Sequence, residues 1–149
     1  MEEFIMKKLL SILKKDERGL TLVELLAVVV ILAIVGGIAF VSIGKVIENS
    51  KADAHVANAQ QLISAAKLYE ANAGNLSSVT SETLKTEGFI GELMDPWTKK
   101  PEDYSGTVTK SGDVYSVTMD GGTGCTITSV PETVINEGRK VACGYTSGS

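Results

Sequence analysis

The feature that most limits the fold of this chain is an uncharged apolar stretch near its N-terminus. From Leu25 to Gly44, twenty residues carry no charge, and Ser42 has the only polar side chain among them. Twenty helical residues rise about 30 Å, which matches the hydrocarbon core of a bilayer. The stretch therefore predicts a membrane-length helix, and it leaves about 100 residues to build a small globular core.

Charges lie unevenly around this stretch. Five basic residues precede it, and these are Lys7, Lys8, Lys14, Lys15 and Arg18. By the positive-inside rule this excess predicts a cytoplasmic N-terminus and a chain that then crosses the membrane, although Lys45 and Lys51 weaken the bias. Residues 20–149 carry nine basic and fourteen acidic side chains, and this acidic balance gives no support to direct binding of nucleic acid.

A single carboxylate, Glu24, stands directly before the apolar stretch. A carboxylate at membrane depth costs up to about 3 kcal/mol, so such a residue usually has a partner of opposite charge. No Lys or Arg occurs between Gly19 and Gly44, so no side chain of this segment is that partner. A free α-amino group could serve, and it would exist if the chain were cut directly before Leu20.

Two other interpretations of the stretch stay open. One is a secretory signal peptide, because small residues follow in GGIAFVSIG, although the apolar part of such a peptide usually has about 7–15 residues. The other is a plain single-pass anchor, which explains the length but gives no reason for Glu24. Either would carry a secreted or anchored binding domain, with a mature chain that begins near Ser42 or at Met1.

The segment RGLTLVELLAVVVILAIVGGIAF, residues 18–40, resembles the class III signal of type IV prepilins and pseudopilins. The resemblance implies a cut by prepilin peptidase between Gly19 and Leu20, N-methylation of Leu20, and Glu24 as the fifth mature residue. The family most often has Phe where this chain has Leu20. Many pilins also have a proline further along the helix, where this chain has Gly36 and Gly37. These glycines weaken a helix by about 1 kcal/mol each relative to alanine, or they let neighbouring helices pack closely.

The same resemblance implies a filament. Its apolar helices would bundle away from water, where Glu24 would pair with the amine of Leu20 on a neighbouring subunit. A subunit docked out of register would leave a buried charge unpaired, so the pair would fix the register. The implied partners are identical subunits, the prepilin peptidase and methyltransferase, the assembly machinery and, before assembly, the cytoplasmic membrane. The finished filament would lie on the cell surface.

Residues 45–74 predict an amphipathic continuation of the same helix, ending at Gly74-Asn75. The predicted buried stripe consists of Ala52, Val56, Ala59, Ile63, Ala66 and Ala73, with Leu62 and Tyr69 beside it. His55 is the only histidine. It has no partners at metal-ligand spacing, which favours a solvated helix residue over a metal ligand.

Residues 75–149 predict a loop region followed by an antiparallel sheet. Residues 76–100 are mostly irregular, apart from a short helix at 81–87 with Ser81 as its cap. Residues 107–110 and 114–119 predict a hairpin, CTITSV a third strand and RKVACGY a fourth. The predicted fold class is α+β, with a long N-terminal helix packed on a small antiparallel sheet, as in type IV pilins.

The two cysteines, Cys125 and Cys143, lie near the C-terminus. A pair in a small extracytoplasmic domain most often forms a disulfide, although two reduced thiols stay open as an alternative. The layout is similar to the C-terminal disulfide loop of type IV pilins. Closing such a loop stabilises a domain by roughly 3 kcal/mol in the chain-entropy model.

No residues are arranged as in a catalytic, cofactor or metal site. MDGGTGC lacks the ending of a phosphate loop, and Asp120 alone does not make a calcium loop. We therefore predict a structural subunit, not an enzyme, of a type IV pilus or pilus-like filament for adhesion, motility or DNA uptake. A pseudopilin of a type II secretion or competence system is the alternative. The predicted parts are a leader at 1–19, an apolar helix at 20–44, an amphipathic helix at 45–74 and a disulfide-containing domain at 75–149.

Overall fold

The computed structural model describes residues 2–120 and 124–145, with side chains described for Lys7 and Lys8 and from Thr21 onward. The chain forms two compact units, Met1–Lys45 and Val46–Ser149. Helix α1 (Glu2–Ala73) belongs to both units. The later elements are β1 (Ser78–Thr80), α2 (Ser81–Thr86), β2 (Gly106–Ser111), β3 (Val114–Met119), β4 (Ile127–Pro131), α3 (Glu132–Asn136) and α4 (Arg139–Ala142).

In the first unit, apolar side chains cover every face of α1 from Leu25 to Gly44. All of its described residues from Thr21 to Lys45 are exposed, and Phe40 reaches 82% exposure. The helix continues without a break through Gly36 and Gly37. A helix that is apolar all round is typical of a membrane span or of a buried position among other helices. Among the described residues, α1 is the one helix whose length and composition suit a membrane span.

In the second unit, one face of α1 forms a side of the core. The buried residues of this face are Ala52, His55, Val56, Ala59, Leu62, Ile63, Ala65 and Ala66. The predicted stripe is confirmed from Ala52 to Ala66, whereas Ala73 is exposed because the helix ends there. Gly74 stops the helix as predicted, with a φ of 91° and an N–H that donates to the Glu70 carbonyl at 2.8 Å.

The sheet has four antiparallel strands in the order β1-β2-β3-β4. The predicted hairpin is confirmed, because β2 pairs with β3 around a turn in which Gly112 has a φ of 59°. The third predicted strand is present as β4. Val108, Val117 and Ile127 are fully buried and share one core with α1. The α+β arrangement is therefore the one predicted from the sequence.

The fourth predicted strand, RKVACGY, is wrong. Gly138 reverses the chain with a φ of 93°, and the next four residues form α4. This turn of helix buries Ala142 and brings Cys143 to Cys125. The fourth strand is β1 instead, in the stretch predicted to be irregular. It has three residues with one buried side chain, Val79, which is too short for an alternating pattern to be recognised.

The cap of α2 is a second correction. Its N-cap is Thr80, whose Oγ1 accepts a hydrogen bond from the Thr83 N–H at 3.2 Å. Ser81 has another role, because its Oγ accepts from the Gly106 N–H at 3.1 Å and so joins α2 to β2. Thr and Ser both suit an N-cap, so the sequence alone does not distinguish these neighbours.

Gly106, the first residue of β2, has no room for a side chain. A Cβ atom there would lie 2.5 Å from both Leu62 Cδ2 and Met119 Sδ. Gly106→Ala is expected to lower the free energy of unfolding by about 1–3 kcal/mol, because overpacking displaces buried side chains. Urea unfolding measures this loss. Gly91→Ala is the matched control, since nothing lies within 4 Å of its added Cβ, and equal losses in both variants would contradict the prediction.

Candidate functional site

The predicted cleavage site lies within α1. The backbone of Gly19 and Leu20 is helical, because α1 is continuous from Glu2 to Ala73. The side chain of Leu20 lies outside the described residues. The bond predicted to be cut is therefore inside a helix, and the methylation of Leu20 stays a prediction.

A cut at this bond would change the surroundings of Glu24. In the uncut chain, residues 20–24 lie in the interior of a continuous helix. Removing residues 1–19 would leave the first N–H groups of the new helix without carbonyl partners and would add an α-amino group. Glu24 would then lie about one turn from a positive helix end, where a carboxylate is favoured.

Glu24 lies on an exposed apolar surface. Its side chain is exposed, and its neighbours Val23 and Leu25 are each 67% exposed. Leu20 precedes it by four residues, so the two positions share one face of the helix. The pairing of Glu24 with the Leu20 amine of another subunit is not tested by a single chain and stays a prediction.

A family profile described as the prokaryotic N-terminal methylation motif matches residues 14–40. The chain carries this methylation motif. It is the class III signal of type IV pilins, so the resemblance inferred from the sequence is confirmed. The methylation motif includes the bond between Gly19 and Leu20, Glu24, and the pair Gly36 and Gly37. Comparisons with curated proteins and with solved structures gave no match.

His55 is buried, which corrects the prediction of a solvated residue. It is 0% exposed, and its Nδ1 lies 2.6 Å from Tyr104 Oη. Its ring makes a T-shaped contact with the Trp97 ring, with 5.6 Å between the ring centres. Among the described residues, its Nε2 has no hydrogen-bond partner. Burial lowers the pKa of His55, and the Asp95 carboxylate raises it by a smaller amount.

Residues 94–104, which we call the loop segment, bring these partners to α1. Trp97 Nε1 donates to Glu48 Oε1 at 2.5 Å, and Asn58 Nδ2 donates to Tyr104 Oη at 2.9 Å. Asn58 Nδ2 also donates to the carbonyl of Met94 at 3.2 Å. Burial raises the pKa of Tyr104 to about 12, so this phenol stays protonated at neutral pH. Sequence reasoning missed this cluster, because its two halves lie far apart along the chain.

A second polar cluster joins α1 to the hairpin. Glu70 accepts hydrogen bonds from Lys110 Nζ at 2.6 Å and from Tyr115 Oη at 2.5 Å. Both hydrogen bonds lower the pKa of Glu70, and the bond from Lys110 has the larger effect. The amines of Lys67 and Lys110 each lie 5.1 Å from the centre of the Tyr115 ring. The cluster fastens the helix to the sheet and so supports the fold.

The predicted disulfide is present. It joins Cys125 to Cys143, whose Cα atoms are 4.8 Å apart. Both cysteines of the chain are in this bond, so neither is free. Within the part of the chain that the structure describes, no group of three or more His, Cys, Asp or Glu residues could hold a metal ion.

Proposed function

We propose that the chain is a structural subunit of a type IV pilus or pilus-like filament, which polymerises through the apolar part of α1. The observation that carries this proposal is the methylation motif, which leads directly into a membrane-length helix. The motif marks pilin-type structural proteins, which are not enzymes. In this proposal the chain is a substrate of processing enzymes and not itself a catalyst.

In this proposal the chain first enters the cytoplasmic membrane with its N-terminus inside. Prepilin peptidase then cuts between Gly19 and Leu20, and Leu20 is methylated. The exposed apolar residues of α1 support both the membrane stage and the filament stage, because they need a nonpolar environment before and after assembly. Lipid provides it in the membrane, and the helices of identical subunits provide it in a filament on the cell surface.

Gly36 and Gly37 have a role in the filament. No atom lies within 4 Å of a Cβ added at either position, so packing within the chain does not require glycine there. Small residues on a membrane-length helix let neighbouring helix backbones approach closely. We assign the two glycines to contacts between the helices of neighbouring subunits.

Mass spectrometry of the mature N-terminus tests this proposal. We expect a chain that begins at N-methyl-Leu20 and retains the apolar stretch. The matched control is the same chain from cells that lack prepilin peptidase, which should keep residues 1–19. A chain that begins near Ser42 would identify an ordinary signal peptide, and an uncut chain in normal cells would identify a plain anchor. Either result would overturn the proposal.

Electron microscopy of filaments sheared from cells tests which assembly the chain builds. Long filaments with this chain as their main protein would identify a major pilus subunit. A secretion or competence defect on deletion, in cells without such filaments, would identify a pseudopilin. Both outcomes keep the filament proposal, whereas correct processing with no defect and no assembly of any kind would contradict it.

A further inference from the structure

His55 lies at the centre of the contacts that hold the loop segment against α1. It touches Tyr104 and Trp97 of that segment, while Glu48 and Asn58 hold the same two residues from the helix. We infer that this cluster is an acid-sensitive clamp: protonation of His55 releases residues 94–104 from α1 and leaves the sheet in place. The inference does not depend on filament formation.

The hydrogen bonds around His55 fit a neutral imidazole. Tyr104 Oη accepts a hydrogen bond from Asn58 Nδ2, so its own proton is available for His55 Nδ1 at 2.6 Å. His55 then carries its proton on Nε2. A second proton on Nδ1 would oppose the Tyr104 proton and would create a buried cation. The Nε2–H has no acceptor among the described residues in either protonation state, so it gives the cation no compensating partner, and burial without such a partner is unfavourable for an ion.

The neighbouring charges do not offset this cost. Asp95 is the carboxylate that acts on His55, but its Oδ1 already accepts the Trp97 backbone N–H at 2.8 Å. Glu48, on α1 itself, accepts from the Trp97 indole and faces Lys51. The remaining described ion pairs do not include His55. They are Arg139 of α4 with Asp53, Glu132 of α3 with Lys67, Lys110 of β2 with Glu70, and Lys85 of α2 with Glu92.

The loop segment can leave α1 without breaking the sheet. Its backbone–backbone hydrogen bonds are internal, since the Lys99 N–H donates to the Asp95 carbonyl and the Tyr104 N–H to the Pro101 carbonyl. None of its residues belongs to a strand. Its described hydrogen bonds to α1 are made by the Tyr104, Trp97 and Asn58 side chains, and all three of these residues belong to the His55 cluster.

The direction of the pH effect follows from the lowered pKa of His55. In the released state, His55 regains its ordinary pKa of 6.5, so release takes up a proton below that pH. The clamp is fully effective above about pH 6.5 and weakens as the pH falls towards the pKa of the closed state. In this window the equilibrium constant for release of the loop segment rises by up to about tenfold for each unit by which the pH falls.

Hydrogen exchange of the full chain in detergent micelles tests the clamp. Exchange in residues 94–104 is compared between the wild type and His55→Gln at each pH from 7.5 to 4.5, because a comparison at one pH cancels the intrinsic pH dependence of exchange. For residues 94–104, the exchange rate of the wild type divided by that of the variant should rise by up to about tenfold for each pH unit below pH 6.5. The ratio for residues 106–119 should stay constant. Glu132→Gln is the matched control and should behave like the wild type.

Two results would overturn the inference. One is the same pH dependence in His55→Gln as in the wild type. The other is a parallel rise in residues 106–119, which would mean global unfolding. If His55→Gln does not fold, an NMR titration of the wild type decides, because the chain has one histidine and its signal is unambiguous. A midpoint below pH 6.5 supports the clamp, and a midpoint at or above that value overturns it.

Discussion

Glu24→Ala is expected to abolish filaments while leaving cleavage after Gly19 intact. The variant keeps both residues of the cut bond, so processing should proceed. In the filament, the amine of Leu20 would then be buried without its carboxylate, at a cost of several kcal/mol for every subunit. Immunoblots of sheared filaments measure assembly, and mass spectrometry of the membrane fraction measures cleavage.

Glu102→Ala is the matched control for this experiment. It removes an exposed carboxylate from the second unit and should assemble like the wild type. Normal filaments from Glu24→Ala would refute the charge pair but not the processing at Leu20. An uncut Glu24→Ala chain would show instead that the carboxylate takes part in recognition by the peptidase.

Replacing both cysteines by serine is expected to lower the free energy of unfolding by roughly 3 kcal/mol. Cys125 and Cys143 are 18 residues apart, so the bond restricts a loop of this size in the unfolded chain. It also holds α4, whose four residues are too few for a helix that is stable by itself. Urea unfolding at neutral pH, followed through the fluorescence of Trp97, measures the loss.

A reductant provides the control for the cysteine variant. It should lower the stability of the wild type to that of the double variant, and it should leave the variant unchanged. Equal stability of the variant and the oxidised wild type would contradict the prediction. The double replacement is preferred, because a single one would leave a free thiol.

The long elements of the fold were predictable because their patterns extend over many residues. The apolar stretch from Leu25 to Gly44 and the stripe from Ala52 to Ala66 each repeat over several helical turns. The hairpin around Gly112 combines alternation with a turn residue. By contrast, β1 and α4 have three and four residues, and their structure depends on what they pack against.

The two candidate sites also differ in whether their residues lie close together in the sequence. Gly19, Leu20 and Glu24 form a local motif, so the sequence alone indicates them. The burial of His55 depends on Tyr104, which follows it by 49 residues, and on the path of the chain between them. Its spacing of three residues from Ala52 and four from Ala59 places His55 on the apolar stripe, but nothing near it in the sequence identifies the groups that cover it, because they come from another part of the fold.

Helix α1 also determines how the subunit would carry a mechanical load. It runs from the apolar stretch into the core, where Leu62 and Ile63 are its largest fully buried aliphatic side chains. In a filament, tension applied through the apolar stretch would pass along the helix and act on the sheet as shear. The disulfide cannot resist this shear, because it closes a loop that does not include α1. The joint between helix and sheet would then be as strong as its noncovalent contacts, which include the hydrogen bonds of Glu70 with Lys110 and Tyr115.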